Sequence, residues 1–265
     1  MRDRDEVSEI VRFNKDCWEA LSESGVEYAR PWLDLDAAAA RGRVDPHDLM
    51  GEVRGRRVLC LAASGGQQSA AFLILGASVT VFDLSENQLE KDRRTAAHYG
   101  GKVETVSGDM QDLGVFRDES FSVVWLAHGI NFVPSARCVL REAARVLEPS
   151  GTLRVECTNP FGHGIDEHFS GTGYEVRQPF IDGAEVAFDS KVWEFTGDDG
   201  QPKRVEGPHE FRHSLSTIVN TCIESSLAVL GLWENDIGDP DAEPGSWGHF
   251  TARMPPWIEL WLRKA

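Results

Sequence analysis

The sequence has few cysteines, and they are not arranged as a metal site. The 265 residues include five, with no CxxC pair and no histidine at ligand spacing beside one: Cys17, Cys60, Cys138, Cys157 and Cys222. Because the number is odd and the positions are scattered through apolar stretches, a disulfide framework is not expected. We predict reduced thiols, which are typical of a cytoplasmic protein.

Long apolar runs are also absent. No run approaches the roughly 18 residues of a membrane span, and the first ten residues, "MRDRDEVSEI", are charged. The pattern predicts neither a signal peptide nor a membrane anchor. A cytoplasmic location is the expectation.

Positive charge is scarce. The chain has 27 Lys and Arg against 43 Asp and Glu, which gives a formal net charge of -16. Such a field repels phosphate backbones and anionic lipid, so DNA, RNA and membranes are not expected partners. With 41% hydrophobic residues, the chain suits one large domain, with or without an insertion.

Strand and helix patterns alternate through the middle of the chain. Apolar segments such as "RRVLCLAA", "SVTVFD" and "FSVVWLAHG" are separated by helical ones, among them "SENQLEKDRRTAAHYGG", which Ser85 opens as N-cap. Strands that are apolar throughout and alternate with helices predict a parallel sheet covered on both faces. "AVLGLWEND" and "PPWIELWLRKA" predict two further strands near the end of the chain.

Two regions lie outside this alternation. Residues 5 to 24 follow a helical period and predict an amphipathic entry helix. Residues 161 to 207 are rich in glycine, aromatic and charged residues, with "KVWEFTG" before a turn at "DDGQPK". This composition predicts an insertion of short antiparallel strands. "HEFRHSLSTIVNTCIESSL", which follows, is interpreted as a helix opened by "HEFRH".

Three predicted strand ends carry groups that suit an adenosine ligand. The turn "AASGGQQ" follows the first strand, and its small residues let a ligand approach the backbone. Asp83 ends the second strand and could accept both ribose hydroxyls. Asp109 ends the third and could accept the adenine amino group, with Met110 against the ring. Because ligands of parallel sheets bind beyond such ends, we expect the three to converge.

These residues resemble the class I S-adenosylmethionine-dependent methyltransferases. The family's first strand and turn read roughly hhDhGxGxG, and the matching positions here are Cys60, Ala62, Ser64 and Gly66. "VTVFDLSENQLEKDR", "VETVSGDMQDL" and "REAARVLEPSGTLRV" resemble later segments of small-molecule methyltransferases. Ala62 and Ser64 can replace glycine if their φ angles stay negative. Cys60 stands where the family has an acid. The ammonium group of the cofactor therefore needs a different partner in this chain.

The resemblance implies a fold, a division of the chain and a cofactor site. The fold is Rossmann-like α/β, with a seven-stranded, mostly parallel sheet whose last strand is antiparallel, helices on both faces and a small antiparallel β cap. Residues 1–50 would cover the cofactor, 51–160 and 208–265 would form the core, and 161–207 the cap. The residues implied to bind S-adenosyl-L-methionine are Trp18, Tyr28, Ala62, Ala63, Ser64, Gly66, Gln67, Asp83, Leu84, Gln88, Asp109, Met110, Ala127 and His128.

The candidate catalytic residues are His128, Asn159 and His213. His128 follows the fourth strand, where its imidazole could act as a base near neutral pH or could bond to nearby backbone. Asn159 could orient an acceptor or form an Asn-Pro turn. Asp83 and Asp109 likewise have turn alternatives, and Gln67 could simply begin a helix.

The candidate substrate-binding residues are Trp32, Phe161, His163, Phe169, Tyr174 and Arg212. Arg212 could clamp a carboxylate of the substrate or pair with surface acids. His163 and His168 do not form a convincing metal pair, so no metal is predicted.

The sequence therefore predicts transfer of a methyl group to a small-molecule acceptor in specialised metabolism, with a homodimer as one option for assembly. Three alternatives remain open. An NAD(P)-dependent oxidoreductase would also use Asp83, although GxGxxG and a Tyr-x-x-x-Lys pair are missing. The second alternative is a catalytically silent binding or scaffold protein. The third is an enzyme that uses the sulfonium cofactor for another reaction.

Overall fold

A computed structural model describes residues 4–166 and 168–265, without the side chains of residues 4 and 166. Eleven strands are present in these ranges: β1 Arg57–Leu61, β2 Ser78–Asp83, β3 Glu104–Ser107, β4 Phe121–Leu126, β5 Leu147–Thr158, β6 Ile165–Asp166, β7 Glu175–Val176, β8 Val192–Thr196, β9 Pro202–Glu206, β10 Leu227–Asn235 and β11 Trp257–Lys264. The described α-helices are α1 Arg4–Glu23, α2 Ala37–Val44, α3 Gln68–Ile74, α4 Glu86–His98, α5 Ala136–Val146, α6 Leu215–Glu224 and α7 Trp247–Thr251.

Seven strands form one sheet in the order β10-β11-β5-β4-β1-β2-β3. The pairs among β1 to β5 are parallel, whereas β11 runs antiparallel to both β5 and β10. This arrangement confirms the predicted sheet with a reversed last strand. It also brings the carboxyl ends of β1, β2, β4 and β5 to one edge.

The core lies on both faces of the sheet because alternate residues of each strand point to opposite sides. Leu59 and Leu61 of β1 pack in a cluster with the apolar residues of α5 and α6. Val58 and Cys60 pack on the other face, in a cluster that includes Phe72 of α3. The predicted cover of helices on both faces is therefore confirmed.

Serine side chains cap four of the described helices. The hydroxyl of Ser85 accepts a hydrogen bond from the backbone N–H of Gln88 at the start of α4. Ser135, Ser214 and Ser246 act in the same way for α5, α6 and α7. The predicted N-cap at Ser85 is confirmed, and each cap fixes where its helix begins.

Two expectations about local structure are wrong. The helix expected to open with "HEFRH" begins at Leu215, because the backbone before it pairs elsewhere: Phe211 N–H donates to the carbonyl of Asn131 and Arg212 N–H to that of Ala184. β3 is not apolar throughout. It lies at the sheet edge and all four of its residues are at least partly exposed.

The segment 161–207 contains two short antiparallel pairs, β6 with β7 and β8 with β9. The β8–β9 hairpin spans the turn at "DDGQPK", which confirms the antiparallel strands expected here. Trp18 of α1 packs edge-on against Trp193 of β8, with 5.9 Å between ring centroids. Within the described ranges, no helix has both the length and the apolar character that crossing a membrane requires.

Candidate active site

A cavity of about 1400 Å³ lies at the carboxyl ends of the parallel strands. Ala62 follows β1, Asp83 ends β2, His128 follows β4 and Thr158 ends β5, and all four line the cavity. The 161–207 segment supplies the opposite wall, with Phe188 and Trp193 among its lining residues. The three strand ends that were expected to converge reach this cavity through Ala62 after β1, Asp83 of β2 and Met110 after β3.

The turn after β1 has a left-handed backbone at four positions. The φ angles are 50° at Ala62, 56° at Ser64, 67° at Gly65 and 96° at Gly66. The expectation that Ala62 and Ser64 keep negative φ is therefore wrong. Their Cβ atoms make this conformation costly, by roughly 1–2 kcal/mol per residue. The turn retains the glycine-like geometry although two of its residues are not glycine.

The two glycines of the turn are required by the close approach of α4. A Cβ at Gly65 would collide with the amide oxygen Oε1 of Gln88, and one at Gly66 would collide with the hydroxyl of Thr95. The backbone of the turn is thus packed against α4 on one side and the cavity on the other. Ala62 and Ser64 line the cavity, whereas Ala63 is fully buried.

Asp83 lines the cavity and also closes its own turn. Its Oδ1 accepts a hydrogen bond of 2.9 Å from the backbone N–H of Ser85. Burial raises the pKa of the Asp83 carboxyl to about 7, against the lowering effect of this bond, and the Glu19 carboxylate raises it further. The Asp83 carboxylate can therefore close its own turn and also accept a hydrogen bond from a ligand in the cavity. Leu84 lies beside it on the cavity wall.

Gln88 and Gln67 flank the turn. Gln88 is 3% exposed and lines the cavity, and its Oε1 has no hydrogen-bond partner within the described part of the chain. Such an orphaned acceptor is expected to find its partner on a ligand. The amide of Gln67, at the N-cap position of α3, donates instead to the carbonyl of Arg30 at 2.9 Å.

The N-terminal region forms part of the cavity wall near the turn. Trp18, Tyr28 and Trp32 all line it. The carboxylate of Glu19 holds α1 in place, because it accepts hydrogen bonds from the backbone N–H groups of Glu86 and Asn87. The N-terminus of α4, where backbone N–H groups have no partner within the helix, therefore anchors α1, which belongs to the region expected to cover the cofactor.

Met110 is on the described cavity wall, whereas the neighbouring Asp109 is not. Met110 is buried on the cavity wall. The Asp109 carboxylate accepts hydrogen bonds of 3.0 Å from both the backbone and the side-chain amide of Gln111. Asp109 is not among the described residues that line the cavity. The geometry shows its turn role, while the adenine role stays a prediction.

His128 sits with Ala127 at the centre of the cavity floor. Its Nε2 is 3.2 Å from the hydroxyl of Thr158, and its ring packs edge-on against Trp257. Burial lowers the pKa of His128 to about 3, and the neighbouring His163 and Arg154 lower it further. A pKa near neutrality was expected, so that expectation is wrong. The imidazole is neutral at physiological pH.

Asn159 and His213 serve the local structure. The Asn159 amide donates to the carbonyl of Pro255 at 2.9 Å and accepts from the N–H of Phe161 at 3.1 Å. The Nε2 of His213 is within 3.1 Å of two backbone carbonyls, and burial lowers its pKa. Neither residue is found on the described cavity wall. The Asn-Pro turn is the role the geometry shows for Asn159.

Among the expected substrate residues of the 161–207 segment, His163 lines the cavity. It is 5% exposed, and its Nε2 is 3.1 Å from a carboxylate oxygen of Glu210. Phe161 stacks on Phe180 at 5.5 Å, where more than half of each side chain is exposed. These two aromatic residues are therefore on the surface of the segment.

Tyr174, Phe169 and Arg212 hold the segment to the rest of the chain. The hydroxyl of Tyr174 is 2.7 Å from Nδ1 of His249 in α7, and the Phe169 ring packs on the same imidazole. The buried guanidinium of Arg212 donates to the carbonyls of Pro179, at 2.6 Å, and His163. Arg212 thus ties two points of the segment together, which neither sequence interpretation anticipated.

Sequence reasoning missed several residues of the site, among them Asp92, Thr158 and Glu210. Asp92 lies within a polar helix, where nothing in the pattern distinguishes it from solvated acids. Thr158 and Glu210 are recognised only through their contacts with His128 and His163. Across the residues whose positions are described, no group of three or more His, Cys, Asp or Glu side chains could hold a metal.

Known proteins resemble this chain in sequence and in fold. A profile of the Methyltransferase domain family matches residues 59–155. An uncharacterized methyltransferase of Bacillus subtilis, YbaJ, is 32% identical over 247 residues, covering 88% of this chain and 93% of that protein. A demethylmenaquinone methyltransferase of Clavibacter sepedonicus is 43% identical over 101 residues, covering 38% of this chain and 40% of its own.

The fold also matches a solved structure. The crystal structure of an S-adenosylmethionine dependent methyltransferase from Mesorhizobium loti has a TM-score of 0.57 with this chain at 17% identity. The superposition covers 88% of this chain and 100% of the other. At this identity the likeness concerns the fold alone.

Proposed function

The chain belongs to the class I S-adenosylmethionine-dependent methyltransferases, and we propose that it methylates an uncharged aromatic small molecule held beneath the 161–207 segment. One observation carries this proposal. A single cavity joins the cofactor turn at Ala62 and Ser64 to an aromatic wall at Phe188 and Trp193. Donor and acceptor can therefore meet at the floor residue His128.

The residues present fit the cofactor. The turn after β1 offers a backbone that itself carries only small side chains, Asp83 offers a carboxylate, and Gln88 offers an amide oxygen without a partner in the described part of the chain. When bound, the cofactor supplies a methyl group on a positively charged sulfur. The chain's part is to align the acceptor and to exclude water, and such positioning contributes roughly 7–11 kcal/mol to rate enhancement.

We assign His128 a positioning role. A neutral imidazole with a strongly lowered pKa is a poor proton acceptor, so we do not assign general-base catalysis to His128. Its ring can exchange a hydrogen bond with an acceptor hydroxyl, while Thr158 fixes its orientation. Direct displacement at the sulfonium needs a base only when the acceptor must lose a proton.

The acceptor class follows from the wall beneath the segment. Phe188, Trp193 and Phe195 provide aromatic surface, and the described cavity wall carries six Asp and Glu residues against two Arg residues. Stacking surfaces favour a planar acceptor, and the acidic side chains disfavour an anion. The relative named for demethylmenaquinone, matched over 40% of its length, supports an aromatic acceptor. A place in specialised metabolism remains part of the proposal.

The division of the chain belongs to the same proposal: a cover at 1–50, a core at 51–160 and 208–265, and a selecting cap at 161–207. The contacts of Arg212 and Tyr174 support a cap that is fixed to the core. We extend the proposal to a cytoplasmic enzyme and, for assembly, to a homodimer.

The test is a methyl-transfer assay with matched acceptors. Hydroxylated aromatic compounds and their carboxylated analogues are incubated with S-adenosylmethionine, and mass spectrometry detects added methyl groups and S-adenosylhomocysteine. We expect the uncharged compounds to react at least about tenfold faster. Preference for the carboxylated analogues would overturn the acceptor class.

Titration calorimetry with both cofactors tests the alternatives. Tight binding of NAD without binding of S-adenosylmethionine would favour the oxidoreductase. Cofactor binding without turnover by any acceptor would favour a silent binding protein. A cofactor product other than S-adenosylhomocysteine would indicate another use of the sulfonium.

A further inference from the structure

Asp92 is a buried acid in the middle of α4, directly behind the cofactor turn. It is 1% exposed. Its Oδ1 accepts a hydrogen bond of 2.8 Å from the backbone N–H of Gly66 and a second hydrogen bond from the hydroxyl of Ser69. A buried carboxyl group reduces stability unless its bonds repay the lost hydration. The burial of this carboxyl group beneath the turn therefore needs a functional explanation.

The remaining features of Asp92 confirm that this burial is costly. Oδ2 has no hydrogen-bond partner among the residues that the structure places. Burial raises the pKa of the carboxyl to about 8, in spite of the bond from Ser69, and the charge of Asp83 raises it further. The protein thus retains a group that destabilises its fold at neutral pH.

Cys60 occupies the position where the family resemblance expects an acid. It lies in β1, two residues before Ala62, and its thiol is fully buried. Burial raises the pKa of this thiol, and the Asp92 carboxylate raises it further, so the two side chains interact electrostatically. A carboxylate at both positions would place two like charges under one turn.

We propose that Asp92 places, from α4, an acid beneath the turn whose β1 position is occupied by Cys60, and that this acid anchors the turn instead of pairing with the ammonium group of the cofactor. Its carboxyl oxygen fixes the N–H of Gly66 and the hydroxyl of Ser69, and so joins the turn to the first turn of α3. This contact holds the turn, which is left-handed at four of its positions, in its binding shape. Asp92 is a positioning residue, since it is not found on the described wall of the cavity.

The test measures S-adenosylhomocysteine affinity by calorimetry, together with circular dichroism and thermal unfolding of the ligand-free protein. Asp92→Ala removes the acceptor and should weaken binding at least about tenfold. Asp92→Asn keeps an oxygen for both donors and should stay within about threefold of the wild type. Ser69→Ala, which removes one of the two bonds, should have an intermediate effect and guards against failure of Asp92→Ala to fold.

Rescue separates positioning from general stabilisation. The double variant C60D/D92A returns one acid to the turn and should regain most of the lost affinity. Cys60→Asp alone, which creates the like-charged pair, should bind more weakly than the wild type. Folded Asp92→Ala with wild-type affinity, or a folded double variant without rescue, would overturn the inference. Because no acceptor is used, neither result bears on the proposed acceptor class.

Discussion

The imidazole Nε2 of His128 lies 3.2 Å from the hydroxyl Oγ1 of Thr158, so that the ends of β4 and β5 are joined by a side-chain contact inside the cavity. The contact orients a ring that burial keeps neutral. A histidine in this state affects the pH dependence of stability in a defined direction.

The first prediction concerns acid stability. His128 has a pKa of about 3 in the folded chain and 6.5 as its ordinary value, so below pH 6.5 the unfolded state binds a proton that the folded state does not. The contribution of His128 to stability is therefore lost as pH falls from 6.5 toward 3, whereas the raised pKa values of Asp83 and Asp92 act in the opposite direction. At pH 5 the His128 contribution is about 2 kcal/mol lower than at pH 7.

Urea unfolding at pH 5 and pH 7 measures the His128 contribution as the difference between the wild type and His128→Gln. On going from pH 7 to pH 5, the free energy of unfolding of the variant should change by about 2 kcal/mol in the favourable direction relative to the wild type. Between pH 7 and pH 8.5 both proteins should change in parallel, which serves as the internal control. An equal change in both proteins below pH 7 would show that His128 titrates normally.

A second prediction concerns the strained turn. Because Ala62 and Ser64 have φ angles of 50° and 56°, Ala62→Gly and Ser64→Gly relieve strain. The gain is partly offset by the larger entropy of glycine in the unfolded chain. We expect each to raise the free energy of unfolding by up to about 1 kcal/mol.

Ala63→Gly is the matched control, since Ala63 lies in the same turn without a positive φ. It should lower stability by roughly 0.5–1 kcal/mol. Thermal unfolding of the three single variants gives the comparison. If Ala62→Gly and Ser64→Gly lose as much stability as Ala63→Gly, the positive φ angles are not a source of strain.

The order of the elements could be predicted because each signal is local. Alternating apolar runs and the N-cap at Ser85 act within a few residues. The position of Asp83 at a strand end follows from the same signals, since a strand end fixes where the side chain can go.

The direction of polar side chains could not be predicted in this way. The side-chain oxygens of Asp83, Asp109 and Asn159 all accept hydrogen bonds from neighbouring backbone N–H groups. Of the three residues, Asp83 is the one that is found on the described cavity wall. The choice between a ligand and the local turn depends on which donors the tertiary fold supplies. Asp92 is the opposite case, because only the packing of α4 against the turn reveals that it is buried.

The pKa of His128 was beyond sequence reasoning for a related reason. Its value depends on burial against Trp257 and on the positions of His163 and Arg154, which come from distant parts of the chain. Sequence places a histidine after β4. Tertiary packing then determines its proton affinity.

A third prediction concerns the attachment of the 161–207 segment. Arg212 is 5% exposed and donates to the carbonyls of Pro179 and His163. Arg212→Ala leaves these carbonyls without their charged donor, at a cost of about 1–3 kcal/mol. We expect the segment to be cleaved faster in limited proteolysis, as followed by mass spectrometry, while S-adenosylhomocysteine affinity is retained.

Arg204→Ala is the control for this experiment. Arg204 lies in β9 of the same segment and forms an exposed ion pair with Glu194, which contributes little to stability. Its cleavage pattern should match the wild type. First cleavage of Arg212→Ala in the core, instead of the segment, would show that Arg212 stabilises the whole chain.

The last prediction concerns Asp83 and the ribose of the cofactor. Burial raises the pKa of its carboxyl to about 7, so the fraction able to accept two hydroxyl hydrogen bonds as a carboxylate increases from pH 6 to pH 8. S-adenosylhomocysteine affinity should rise over this range and should fall roughly 10- to 100-fold in Asp83→Ala. Asp83→Asn should remove the rise, whereas Glu148→Gln, at the opposite end of the sheet, should retain it. Calorimetric titration at the two pH values gives both results, and wild-type affinity in Asp83→Ala would leave Asp83 only its hydrogen bond to Ser85.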